Sequence, residues 1–246
     1  MWKRRVEGAL CEVRTAGSVR RLYSDGVFHS EYSPRRYLTG QVWDLLMLPA
    51  FFCARGTIRR VLVLGVGGGT VIRQLRRFVT PSSIVGVERN AAHLHVAKRF
   101  FDAGGPETTL VCDDARRWAS SYRGAPFDMI IDDLFGGADA RPMRSVDMDS
   151  EWFACLLAQL SDAGVLVANF PSPIALRESA YRVHLGAGRA FRDAFSFSTP
   201  SDANVVAAFL RFESSARWLR NNLRATPGLD PAVKRNRLNY RVRRLR

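Results

Sequence analysis

Residues 61–88 constrain the fold more than any other stretch. They run Val61-Leu62-Val63-Leu64, then Gly65-Val66-Gly67-Gly68-Gly69-Thr70, then a helical pattern, then Ile84-Val85-Gly86-Val87-Glu88. The first apolar run reads as a strand buried on both faces, of the kind found in sheets covered by helices. The glycines at 65, 67, 68 and 69 let the backbone turn sharply and approach a ligand that a Cβ would obstruct. The helix that follows aims its first N–H groups at that ligand. Glu88, at the tip of the second strand, stands where an acid can accept both hydroxyls of a ribose. This order of strand, glycine turn, helix and acid-tipped strand is the one a nucleotide-type cofactor needs.

The rest of the chain repeats the alternation. Strands at 109–111, 127–131 and 165–168 are interleaved with helices near 91–102, around Trp118, from Ser150, and near 177–192. The expected fold class is therefore α/β, a doubly wound, mainly parallel, Rossmann-like sheet. Residues 195–197 and 205–209 read as an antiparallel pair closing it. Ahead of the core, residues 8–33 alternate with period two around Asp25-Gly26, a hairpin dipeptide, and predict a small N-terminal antiparallel β-hairpin region. A lead-in helix is expected over 38–54. The chain divides on this reading into a hairpin region with its lead-in helix (1–55), a Rossmann-like domain (56–213) and a basic helical tail (214–246). Two short helices separated by Pro227-Gly228 are expected in the tail. Trp218, Leu219 and Leu223 would dock the first, and Val233, Leu238, Val242 and Leu245 the second.

Composition restricts the function classes. Cys11, Cys53, Cys112 and Cys155 are far apart, with no CxxC and no histidine partner nearby in sequence, so neither a disulfide framework nor a zinc site is expected. No apolar stretch is long enough to span a bilayer and no signal peptide is read, which together predict a cytoplasmic protein without membrane contact. The net charge of +14 raises a nucleic-acid reading. The charge is uneven, however: residues 214–246 carry ten basic residues against one acid, Asp230. Only Lys3, Lys98 and Lys234 are lysines, and an arginine bias of this kind also follows from GC-rich codon usage. No aromatic-interleaved platform for single strands is evident, so nucleic acid is not the favoured partner.

Ligands of open parallel sheets lie beyond the carboxyl ends of the strands. Here those ends carry Gly65–Gly69, Glu88, Asp113-Asp114, Asp132-Asp133 and Asn169. Capping of the following helix is the plainer role for any one of these acids, but it is a weaker account of the whole set.

With those residues in view, the chain resembles the spermidine synthase-like family of the class I S-adenosylmethionine-dependent methyltransferase superfamily, over roughly residues 20–212. The family's L-x-x-D-G-x-x-Q is met by Leu22-Tyr23-Ser24-Asp25-Gly26-Val27-Phe28-His29, with histidine for glutamine. Its G-G-G-D-G-G/A is met by Gly65 to Thr70, and its G-D-A-R-x-[FW] by Asp113-Asp114-Ala115-Arg116-Arg117-Trp118. Its I-I-x-D-x-x-D-P is met by Ile130-Ile131-Asp132-Asp133-Leu134-Phe135-Gly136-Gly137. The resemblance implies S-adenosylmethionine, or its decarboxylated form, as co-substrate, with no metal. It implies a cradle of Gly65, Gly67, Gly68 and Gly69, with Glu88 on the ribose and Asp113 and Asp114 at the adenine. Asp133 is implied as the group that takes a proton from the attacking amine. His29, on the hairpin that covers the site in this family, and Asp132 are acceptor-side candidates; a surface histidine is the plainer reading of the first.

The departures from the family motifs bear on what is transferred. Gly68 stands at the acid that contacts the amino end of the cofactor's tail in aminopropyl-transferring members, and Gly136 at a second, polyamine-binding acid. The family's helix-borne Tyr-x-Glu has no match at Gln41-Val42-Trp43. A polyamine carries several positive charges and needs acids to balance them. The expectation is thus a methyltransferase acting on a small-molecule acceptor, an amine among the candidates. The alternative is a polyamine aminopropyltransferase in which Asp132, Asp139, Asp147, Asp149 and Glu151 substitute for the missing acids. A second alternative is a non-catalytic module with a nucleic-acid-binding tail. The hairpin and tail are candidate homodimer contacts.

Overall fold

In a computed structural model of the chain, residues 2–6, 8–136, 143–236 and 238–245 are described. Strands β1 (Trp2–Val6), β2 (Ala9–Ala16), β3 (Val19–Ser24) and β4 (Val27–Tyr32) form an antiparallel sheet in sequence order. β1 is an addition to the strands expected from the period-two pattern. Asp25 and Gly26 take φ of 45° and 81°, the two left-handed residues that a tight I′ turn requires. Helix α1 (Val42–Met47) tightens into a 3₁₀ turn over Leu48–Phe52. The single helix expected over 38–54 is therefore shorter and changes pitch at Pro49, whose missing N–H is harmless at the start of a new turn.

The core alternates as predicted: β5 (Arg60–Leu64), α2 (Thr70–Phe78), β6 (Ser83–Glu88), α3 (Ala91–Phe100), β7 (Thr108–Cys112), α4 (Ala115–Ser121) and β8 (Phe127–Asp132). Two short strands, β9 (Phe135–Gly136) and β10 (Met143–Arg144), pair antiparallel beside it. Then follow α5 (Ser150–Leu157), β11 (Leu160–Phe170), α6 (Pro173–Glu178), α7 (Tyr181–His184), β12 (Asp193–Ser198), β13 (Val205–Leu210), α8 (Ala216–Arg224) and β14 (Arg241–Arg244).

Eight strands form one sheet in the order β14-β12-β13-β11-β8-β5-β6-β7. β11, β8, β5, β6 and β7 run parallel, and β13 pairs antiparallel with both β11 and β12. Val61 to Leu64 are fully buried, and period two divides them between the layers: Val61 and Val63 pack with α1 and α2, Leu62 and Leu64 with α4 and α5. The chain leaves β5 toward β6 on one side and later returns to β8 on the other, so the switch point lies between β5 and β8. A crevice must open there.

Two expected helices differ. The helix from Ser150 ends at Leu157, and β11 begins at Leu160 with an irregularity before Val165, so the strand expected at 165–168 starts earlier and crowds the helix's end. The helix expected near 177–192 is replaced by α6 and α7, which are short; Gly186 and Gly188, at φ 126° and 73°, interrupt it. The tail's first helix is present, with Leu219 and Leu223 fully buried and Trp218 47% exposed. The second is corrected: residues 241–244 add a strand to the sheet by pairing with β12. Among the described residues no helix is long and apolar enough to cross a membrane.

Candidate active site

The glycine turn is packed tightly against the hairpin, Phe101, Ala103 and the backbone at Asp133. Gly65, Gly67 and Gly69 sit at φ 85°, 53° and 80°, which L side chains rarely adopt. A Cβ on Gly65 would run into the Asp133 carbonyl oxygen, so glycine lets the turn after β5 lie close against the backbone that leaves β8. Gly67 donates its N–H to Glu88 Oε2 at 2.9 Å, and Gly68 donates to Ser30 Oγ at 2.7 Å. A Cβ on Gly68 would lie 2.7 Å from Ser30 Cβ and 2.8 Å from the Phe101 ring. The hairpin is thus seated on the loop, and it is held there further by Glu31 N–H donating to Thr70 Oγ1 at 3.1 Å.

A cavity of about 140 Å³ opens at the switch point. One wall is Gly65, Val66 and Gly67, with Glu88 and His93 beside them. Phe28, Trp43 and Phe135 supply aromatic walls, and Gln41 and His29 complete the rim. Its polar floor is Asp133, Asn169, Asp202 and Asn204, which form a linked set. Asn169 Nδ2 donates to Asp133 Oδ1 at 2.7 Å, and Asn204 Nδ2 donates to Asn169 Oδ1 at 2.9 Å. Burial raises the Asp133 carboxyl; Asn169 opposes the rise, the nearby Asp132 and Asp202 charges add to it, and it settles at about 6.

Glu88 accepts N–H groups from Gly67 and from Asn90, each at 2.9 Å, and faces His93 Nδ1 at 3.7 Å. Burial alone would raise this carboxyl, but His93 and the two amides hold it below the usual range. Burial alone would likewise depress His93, yet Cys11 and Glu88 raise it to about 9. Its Nε2 shares a hydrogen bond with the Ser24 hydroxyl at 2.7 Å, tying α3 to the hairpin. His29, its ring 4.9 Å from that of His93, is pushed down to about 4 by burial and by the His93 charge. His29 is therefore a neutral side chain on the cavity wall, not the exposed hairpin histidine of the plainer reading.

The structure brings together Gly65, Gly67, Glu88, His29 and Asp133, and sets the other sequence candidates apart from the cavity. Asp132 is fully buried behind it, its two carboxylate oxygens accepting from Arg144 Nη2 at 3.0 and 2.9 Å and one of them also from the Trp152 indole N–H at 2.7 Å. Asp114, exposed, caps α4 by accepting Arg117 N–H at 3.1 Å, and Asp113 accepts Arg117 Nε at 2.6 Å. Gly68 and Gly69 face the hairpin and Ala103 rather than the cavity. Among the candidate substitute acids, Asp149 caps α5, Asp147 and Glu151 do not line the cavity, and Asp139 lies outside the described residues. Asp202 and Asn204, on the β12–β13 turn, had no local motif to announce them. Ser30 and His93 were likewise missed, whereas Gln41 and Trp43, noted only as a mismatch, prove to be cavity wall.

Comparison with known proteins agrees with this fold. Residues 61–142 match the family model described as a methyltransferase domain. The polyamine aminopropyltransferase 2 of Caldanaerobacter subterraneus is 32% identical over 108 residues, which is 42% of this chain and 35% of that one. The polyamine aminopropyltransferase of Aeropyrum pernix is 26% identical over 191 residues, 75% of this chain and 59% of that one. The chain thus spans less than two thirds of the length of these relatives. In structure it is similar to a probable spermidine synthase from Corynebacterium glutamicum, with a TM-score of 0.71, 19% identity, and coverage of 92% and 88% of the two chains. The fold is that of the class I S-adenosylmethionine-dependent methyltransferases. Among proteins of that fold it is similar in sequence to polyamine aminopropyltransferases and in structure to a probable spermidine synthase.

Proposed function

We propose that this chain transfers an alkyl group from an S-adenosyl-type sulfonium donor to an amine nitrogen, the group being methyl and the donor S-adenosylmethionine. The observation that carries the reading is Asp133. Its carboxyl lies at the floor of an aromatic-walled cavity, fixed by Asn169, with its proton affinity raised to about 6. An ammonium must lose a proton before its lone pair can attack, and a base titrating near neutrality is suited to take it. Phe28, Trp43 and Phe135 favour cationic groups through their ring faces. The donor supplies a carbon bound to a good leaving group; positioning the amine in line with it contributes much of the rate. Glu88 is the candidate for the ribose hydroxyls, and the stretch Gly65 to Gly67 that lines the cavity is the candidate cradle for the donor. Asp114 Oδ2, which has no partner among the described residues, is the candidate for the adenine amino group, with Asp113 beside it.

Methyl is preferred because Ser30 and Phe101 leave no room for a side chain at Gly68. The loop then offers no acid to a cationic aminopropyl tail. A second reading, aminopropyl transfer to a polyamine, is favoured by Asp202, which gives the cavity a second acid beside Asp133, and by the names of the relatives. Mass spectrometry of reactions with either donor and with putrescine or monoamines separates the two. S-adenosylhomocysteine is the expected product; methylthioadenosine formed with putrescine would favour the second reading. Asp133→Asn should lower kcat by about 10²–10⁴-fold. In the parent enzyme kcat/KM should climb through pH about 6, as Asp133 loses its proton, and flatten above it. Turnover by Asp133→Asn equal to the parent would overturn the assignment.

A further inference from the structure

Away from the cavity, the tail forms a second concave surface that the proposed reaction does not use. α8 and β14 flank a groove of about 600 Å³. Arg220 and Arg224 stand one helical turn apart on one wall, and Arg241 and Arg243 occupy alternate positions of β14 on the other. All four are exposed and, among the described residues, none has an ion pair or a side-chain hydrogen bond. Their neighbour Arg244 behaves differently, since it pairs with the buried Asp193. No carboxylate lines the groove among the described residues. Its floor carries the half-buried Tyr240, whose ring is backed by Phe197 at 6.3 Å between centroids.

Like charges at i,i+4 on a helix and at alternate strand positions repel one another. The fold therefore gains nothing by converging these four guanidinium groups, and their charge is left for an outside anion. Along each wall the cations recur every ~6–7 Å, which matches a chain carrying one charge per repeat better than a lone anion. Guanidinium forks match phosphate oxygens two at a time. Tyr240 adds a flat ring on which a base can stack. The walls are one helix and one strand, which bound a slot for a single strand. We propose that the groove between α8 and β14 binds single-stranded nucleic acid through its phosphates, with Tyr240 stacking on a base.

The test is fluorescence anisotropy of a labelled oligouridylate against the full-length protein over a salt series. Four phosphate contacts predict a slope of about −2.8 in log K against log salt, a fall of about 50-fold between ~50 and ~200 mM. The double variants Arg220→Gln/Arg224→Gln and Arg241→Gln/Arg243→Gln should each reduce the slope to about −1.4, a fall of about 7-fold over the same range. Arg99→Gln/Arg177→Gln, which removes two exposed arginines elsewhere, should leave the slope near the parent's. Tyr240→Leu should weaken binding several-fold with the slope unchanged. Thermal melts check folding, and removing like charges should not lower Tm. The proposal is overturned if the control pair reduces the slope as much as the groove pairs. It is equally overturned if a polyglutamate peptide of the same charge binds as tightly and is lost in the same variants, since that would make the groove a protein-docking surface.

Discussion

Glu88 and His93, both buried, stabilise opposite charges in each other over a limited pH range. The folded value of His93, about 9, lies above its ordinary 6.5. Its contribution to stability is therefore complete below 6.5 and is lost as pH rises through about 9. Glu88, held low, contributes above its ordinary 4.5 and loses that contribution as pH falls through its folded value. His29, neutral in the fold, contributes above 6.5 and is lost as pH falls toward about 4. The prediction is that His93→Gln flattens the alkaline limb of a Tm-against-pH curve between about 7 and 9. In the parent protein the His93 and His29 ring signals should titrate near 9 and near 4 by NMR; a His93 signal titrating near 6.5 would remove the basis for the pair. Glu88 was legible in the sequence because a strand tip fixes where its side chain lies. His93 was not, because a histidine among the apolar positions of an amphipathic helix looks like any other core residue. Only the packing of α3 against the hairpin turns its ring toward Glu88.

At the scale of elements, β8 explains why paired acids do different work. Successive side chains on a strand point to opposite sides, and at its end Asp133 faces the cavity while Asp132 faces Arg144 and Trp152 behind it. Arg144 is itself buried, so removing its charge leaves Asp132 with an uncompensated one. Arg144→Met should lower stability by about 3–5 kcal/mol, measured by urea unfolding, while Asp132→Asn/Arg144→Met together should recover part of that loss. A cost under about 1 kcal/mol, the range of exposed ion pairs, would mean that the pair is solvated. Capping by Asp114 gives a smaller expectation: Asp114→Ala should cost about 0.5–2 kcal/mol, and calorimetry with S-adenosylmethionine then tests whether it also weakens donor binding. The cavity's 140 Å³ is below the ~300–1,000 Å³ of most small-molecule pockets. Donor binding should therefore displace the β3–β4 hairpin and change hydrogen exchange at its amides. The sequence carried the strand, turn and acid of this site because local pattern encodes them. It did not carry which of two adjacent acids faces the ligand, since that depends on strand register, nor the contribution of the β12–β13 turn, which reaches the cavity only through long-range antiparallel pairing.

For the whole molecule, the tail is where local pattern and tertiary context disagree most. Val233, Leu238, Val242 and Leu245 are spaced closely enough to read as one helical face, yet Tyr240-Arg241-Val242-Arg243 also alternates as a strand does. The choice is made by β12, whose free edge offers Ser198, Phe197, Ser196 and Phe195 as partners for residues 241–244. Within the tail, α8 lays Leu219 and Leu223 on the layer beneath β5, and Leu229 follows them, all fully buried in the same cluster as Val61 and Val63. Burying three leucines is worth about 1.5–3 kcal/mol each, a sum comparable with the ~5–15 kcal/mol that holds a domain folded. The tail therefore completes the core that positions the glycine turn. Leu219→Ala should cost about 2–5 kcal/mol. Removal of residues 214–246 should abolish a single cooperative urea transition, expose apolar surface to a hydrophobic dye, and release the β5–α2 turn to fast hydrogen exchange. A truncated chain that unfolds cooperatively at the same urea midpoint as the parent would show instead that the tail is an appendage. The nucleic-acid groove would then have to be sought in a unit separable from the site at Asp133.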